Sequence, residues 1–165
     1  MKLIKLLLIS TCLVFATTAG VNAAPPVNAT TEYDFVGHLE KFDDEGRLLA
    51  WEGTISGDIE GVIRWWMVVP FSITGQVTHF EEKWEIWDGD EDDAVLCLEG
   101  YNAGTTTNRP GKSGVWRSNG MVTKVGPACP ELDEWLGGHM HESGEFSWIF
   151  QGEFPEKGTG IFRTN

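Results

Sequence analysis

The sequence predicts an all-β chain, an antiparallel up-and-down barrel of about eight strands, with a β-sandwich as the alternative. Three observations point there. A two-residue hydrophobic period runs unbroken through residues 49–65. Short strand-like stretches, bounded by turn residues, fill the chain after Tyr33. Glycine takes alternate apolar slots in the clearest stretch, which suits a tightly coiled sheet better than a flat one.

The first segment, residues 1–23, reads as a cleavable signal peptide. Lys2 and Lys5 precede an apolar run over 6–16 that is too short to span a bilayer, and Val21-Asn22-Ala23 offers small residues for cleavage. Cys12 follows Ile9-Ser10-Thr11, but Thr11 stands where a lipoprotein signal wants a smaller residue, so lipidation is set aside. A secreted or periplasmic location is therefore expected. Residues 24–32, rich in Pro, Asn and Thr, read as a flexible tail carrying the glycosylation sequon Asn28-Ala29-Thr30. Residues 33–165 are expected to form one domain around one core.

The first strand is expected over 33–42. In 49–65, Leu49, Trp51, Gly53, Ile55, Gly57, Ile59, Gly61, Ile63 and Trp65 share one face, against Glu52, Thr54, Ser56, Asp58, Glu60 and Arg64. A helix would scatter these side chains round its circumference. The stretch exceeds a normal strand, so two strands meeting near Ser56-Gly57-Asp58, or one strand bent at its glycines, are expected. Residues 74–87 set Phe80, Glu82, Trp84 and Ile86 against His79, Glu81, Lys83, Glu85 and Trp87. Strands over 94–103, 114–125, 140–152 and 158–163 complete the set. One short helical turn is expected near 130–136, where Pro130 opens, acids follow and Gly137-Gly138 stops the segment.

Charge narrows the partners. Loss of the leader takes two of the 12 basic residues and none of the 25 acidic ones, moving the formal charge from −13 to −15. Nucleic acid and anionic membrane both demand positive charge, so neither is expected as a partner. No second apolar run reaches membrane length. Cys97 and Cys129 then remain as one candidate disulfide, which the chain-entropy account values at about 3 to 4 kcal/mol.

Candidate chemistry is sparse, and no cofactor is implied. Asp88, Asp90 and Asp92 match the first positions of a calcium loop, but Asp93 stands where the turn needs Gly, and a strand follows directly. The run reads better as a solvated hairpin tip. His139 and His141 share one strand face as metal ligands would, yet that face opposes Met140, Gly144, Phe146, Trp148 and Phe150 and so points to solvent. Glu82 and Glu142 share parity with the apolar faces of their strands. A carboxylate inside a barrel would have a raised pKa suited to acid–base work. The expectation is that each lies at a strand end, past the packed layer, in water. Trp65 and Trp66 must face opposite ways, which puts Trp66 outside, with Trp87 beside the acidic tip. Exposed rings near carboxylates suit a sugar-binding face. No hydrolase elbow, zinc-protease motif, Walker loop or dinucleotide fingerprint occurs.

The segment Trp51-Glu52-Gly53-Thr54-Ile55-Ser56-Gly57-Asp58-Ile59-Glu60-Gly61, with Gly158-Thr159-Gly160-Ile161-Phe162-Arg163, resembles small secreted barrels of the allene-oxide-cyclase-like and dirigent-like group, within the wider calycin-like set. That resemblance implies an eight-stranded barrel with a central cavity for an apolar or aromatic ligand, and it transfers no active site. The leading functional expectation is non-enzymatic binding of such a molecule, lined by Trp51, Trp65, Trp84, Phe146 and Trp148. The alternatives are a carbohydrate-binding module using Trp66 and Trp87, and a cavity enzyme using Glu82 or Glu142.

Overall fold

A computed structural model describes residues 25–38, 42, 44, 46, 48–68, 77–89, 93–107, 114–146 and 155–165. Eight strands follow one another: β1 (Asn28–Gly37), β2 (Leu49–Gly57), β3 (Gly61–Met67), β4 (Val77–Asp88), β5 (Val95–Thr107), β6 (Gly114–Val125), β7 (His139–Phe146) and β8 (Pro155–Arg163). Each pairs antiparallel with the next, and β8 returns to β1, so the sheet closes into a barrel. Closure decides against the sandwich. It also removes every free sheet edge, which an open sheet of these strands would have to protect.

The long alternating stretch divides as its glycines suggest. Gly57 (φ 115°) and Gly61 (φ 149°) bracket the β2–β3 turn with backbone angles that L side chains rarely adopt. On either side, Ile55, Ile63 and Trp65 point into the core, as does Ile59 from the turn itself. The tail expectation is wrong for residues 28–32. These residues belong to β1, whose register runs from Asn28 opposite Arg163 and from Thr31 opposite Gly57. Their inward residues are the small Ala29 and Thr31, which carry little hydrophobic signal, and the pairing that orders them lies at the far end of the chain. The signal-peptide and Cys12 readings fall outside the described residues.

One end of the barrel is plugged. The expected helical turn is a 3-10 helix, Pro130–Trp135, whose Trp135 is buried against Phe162 with ring centroids 6.4 Å apart. The disulfide Cys97–Cys129 ties this plug to β5 across a Cα–Cα distance of 5.3 Å. Cys97 and its neighbour Leu98 are both buried because a register shift between Ile86 and Trp87 inserts an extra residue into β5. Ile59, Ile63, Trp84, Ile86, Leu98, Val122, Met140 and Phe162 fill the barrel beneath the plug. The β1–β2, β3–β4, β5–β6 and β7–β8 connections all leave from the opposite end. Near that end the lining is aromatic, with Phe80 and Met67 buried and Trp51 and Trp116 half-buried against them.

Candidate functional site: a carboxylate cluster inside the barrel

Between the plugged end and the aromatic end lies a polar layer. Inward parity on successive strands delivers Glu82 from β4, Asn102 from β5, Ser118 from β6 and Glu142 from β7. Register sets Glu82 opposite Asn102, and Ser118 opposite Glu142. Thr31 and Tyr33 join from β1. Gly160, the β8 partner of both Glu142 and Thr31, leaves the space in which the Tyr33 hydroxyl sits. A methyl group there would collide with that hydroxyl and with Thr31 Oγ1.

The layer is hydrogen-bonded around one carboxylate oxygen. Asn102 Nδ2 donates to Glu142 Oε2 at 2.7 Å, and Ser118 Oγ donates to the same oxygen at 3.0 Å. Asn102 Nδ2 also lies 3.0 Å from Ser118 Oγ. Among the described residues, six buried polar atoms lack a hydrogen-bond partner of good geometry: Thr31 Oγ1, Tyr33 Oη, Glu82 Oε2, Trp84 Nε1, Asn102 Oδ1 and Glu142 Oε1. Tyr33 nonetheless approaches Thr31 and Glu142, and Asn102 approaches Glu82, closely enough to bear on their charge. Buried polar groups are ordinarily paired by protein or by ordered water, so a concentration of unpaired ones sets this part of the interior apart from the apolar core around it.

Burial governs the electrostatics. Glu142 is fully buried, and desolvation pushes its carboxyl up to about 7, while Ser118, Tyr33, Trp65 and Asn102 restrain the rise. Glu82 is 3% exposed and is raised well above the carboxylate range, first by burial and then by the nearby charge of Glu142, with Asn102 opposing. Burial and Glu142 together raise the Tyr33 phenol as well. Among the described residues, no Lys, Arg or His is buried, so neither acid has a cation inside. Both acids were expected in water at strand ends. They sit in mid-barrel instead, because Glu82 is flanked by the inward Phe80 and Trp84, and Glu142 by Met140 and the inward Gly144.

The expected ring lining divides. Trp65 and Trp84 are paired in register across β3 and β4, and both are buried. Trp65 packs edge-on to Tyr33 at 5.5 Å, and Trp84 edge-on to Phe162 at 5.7 Å. Trp84 also fills the space above Gly100, whose missing side chain admits the ring. Trp51 is half-buried nearer the aromatic end. Phe146 closes β7, and Trp148 lies outside the described residues. Asn102, Ser118, Thr31 and Tyr33 escape the sequence reading, although Asn102 shares parity with Leu98, Gly100 and Gly104, which would have placed it indoors.

The remaining candidates among the described residues lie on the outside of the barrel. His139 and His141 are exposed, and His141 Nδ1 contacts Asn119 Oδ1 at 2.8 Å. No metal-binding cluster occurs among the described residues. Asp88 is exposed at the end of β4, while Asp90 and Asp92 fall outside the described residues. Trp66 and Trp87 are half-buried on the outer wall, and both indole N–H groups donate to Glu85 Oε2, at 3.1 and 3.3 Å. Lys83 bridges Glu85 and Glu99 at 2.8 and 3.1 Å, and Arg64 lies over the Trp87 ring at 5.5 Å. In comparisons with family models, curated proteins and solved structures, nothing matches the chain.

Proposed function

We propose that this protein is an exported binding barrel that holds a small molecule with an apolar or aromatic body and a polar group in its interior. The observation that carries the reading is the polar layer beside Trp65 and Trp84, in which five buried polar atoms, from Thr31, Tyr33, Glu82, Asn102 and Glu142, are unpartnered. Binding pockets characteristically combine an apolar lining with a few convergent polar groups, and this interior has both. Native mass spectrometry of the protein, purified from its secreting host and then incubated with mixed aromatic metabolites, tests the proposal. A retained mass displaced by competing ligands is the expected result. A bare protein mass in every mixture, alongside an experimental structure with solid side-chain packing through the polar layer, would reject it.

Burial of both acids favours a second reading, a cavity enzyme in which Glu142 or Glu82 moves a proton. The two readings separate on the fate of the ligand. A carrier releases the molecule it took up, whereas an enzyme releases an isomer or product, which chromatography of the released material detects.

A further inference from the structure

We infer that the interior site selects a protonated primary amine carried on an apolar or aromatic body. This deepens the binding reading above and rests on it. Glu82 Oε2, Asn102 Oδ1 and Glu142 Oε1 are all acceptors when the acids are ionised, and all belong to the Glu82–Asn102–Glu142 arc of the wall. An ammonium group presents three donors and no acceptor. Three unpartnered acceptors around one arc are the complement of that group, whereas a carboxylate or phosphate would meet them as like charge.

Charge balance points the same way. Two buried acids face each other's field with no buried base among the described residues. Ionising either acid in this interior is costly, which is why both titrate high, and a cation beside them offsets that cost while making charge-assisted hydrogen bonds. The rings add to this. Trp65, Trp84 and Tyr33 belong to the core cluster beside the layer, and aromatic rings attract ammonium when water is excluded. The groups facing Glu142 are Tyr33 from β1, Trp65 from β3, Asn102 from β5 and Ser118 from β6, with Glu82 from β4 as the charged neighbour. Among them only Glu82 and Tyr33 titrate, and neither supplies a positive charge.

Phenethylamine, phenethyl alcohol and phenylacetate test the inference, because they share one aromatic body and differ in ammonium, hydroxyl or carboxylate. Each is titrated into the protein and into Glu142→Gln at mildly alkaline pH, read by tryptophan fluorescence and calorimetry. In the wild type, phenethylamine is expected to bind about tenfold or more tightly than the alcohol, the ratio one charge-assisted hydrogen bond supplies, with phenylacetate weakest. Glu142→Gln should bring amine and alcohol to within about twofold while keeping alcohol binding. Should that variant not fold, the wild-type ranking alone decides. An alcohol equal to the amine, or phenylacetate binding best, overturns amine selectivity and leaves small-molecule binding standing. Silence with all three probes also overturns it, and the binding reading is then judged separately by the mass-spectrometric result.

Discussion

Glu82 and Glu85 lie close together on β4 and meet opposite circumstances. Glu85 faces outward, where Lys83, Trp66 and Trp87 all donate to it. Glu82 faces inward, with no cation and one oxygen unpartnered. The outer acid is therefore a fastening: it orients two indoles and one ammonium on a wall that water still reaches. The inner acid serves no comparable structural purpose, since an apolar residue of similar size would fill its place at lower cost. A barrel that needed only a core would not hold Glu82 and Glu142 in its middle. The contrast supports the proposal that these two positions serve a ligand or a proton transfer rather than the core.

The largest consequence is a dependence of stability on pH. Both inner acids titrate higher in the folded barrel than in the unfolded chain, so between the two values the folded state holds more protons. Stability is then highest below the unfolded carboxylate range and falls as pH rises through about 7, where Glu142 ionises in place. Glu142 alone accounts for about 3 kcal/mol across that window, and Glu82 acts in the same direction. Chemical denaturation from acid to neutral pH should show this decline, and Glu142→Gln should flatten it. The net negative charge of the surface also loosens the fold as pH rises, so the difference between wild type and variant is the quantity to read. An unchanged slope in Glu142→Gln would mean that Glu142 is hydrated.

Asn102 joins the two acids, and its removal comes next in size. Asn102→Leu takes one donor from Glu142 and leaves Ser118, with Tyr33 and Trp65, to hold the carboxylate. The expected cost is about 1 to 3 kcal/mol at neutral pH, the penalty for a buried charged group deprived of a hydrogen bond. At acid pH, where Glu142 is protonated, the cost should shrink. A cost independent of pH would mean that Asn102 matters for packing rather than for the charge it faces.

Strand alternation carried much of this arrangement into the sequence. The parity of Glu82 with Phe80 and Trp84, and of Glu142 with Met140, is enough to place both acids on inward faces. Parity does not report depth, however. How far a strand slides past its neighbour fixes whether an inward residue sits at the mouth or the middle, and only register settles that. The polar partners were hidden for a related reason. Asn102 stands between Gly100 and Gly104, and Ser118 between Trp116 and Gly120, so neither strand shows a continuous apolar face. Glycine reads as a weak position in a strand, yet Gly100, Gly104 and Gly144 give their space to the rings of Trp84, Phe80 and Trp116. The barrel was legible in the alternate glycines, but the strand pair that closes it was not, because β1 meets β8 across almost the whole length of the chain.

The smallest expected effect sharpens the comparison from outside. Glu85→Gln keeps the shape and an acceptor for the two indole N–H groups but removes the charge that Lys83 faces. Lys83 retains Glu99 at 3.1 Å, so the loss is partial. Its side chain is 12% exposed and that of Glu85 13%, which leaves the pair in reach of solvent screening. The expected cost is therefore about 1 kcal/mol or less, falling further as salt is raised. Burial of the aliphatic stem is unchanged, so heat and denaturant midpoints should move little. If Glu85→Gln instead cost as much as Asn102→Leu, the outer wall would be as electrostatically dry as the interior. The distinction drawn between the two faces of β4 would then fail, and Trp66 and Trp87 would need to be read as parts of a second core rather than as an outer surface.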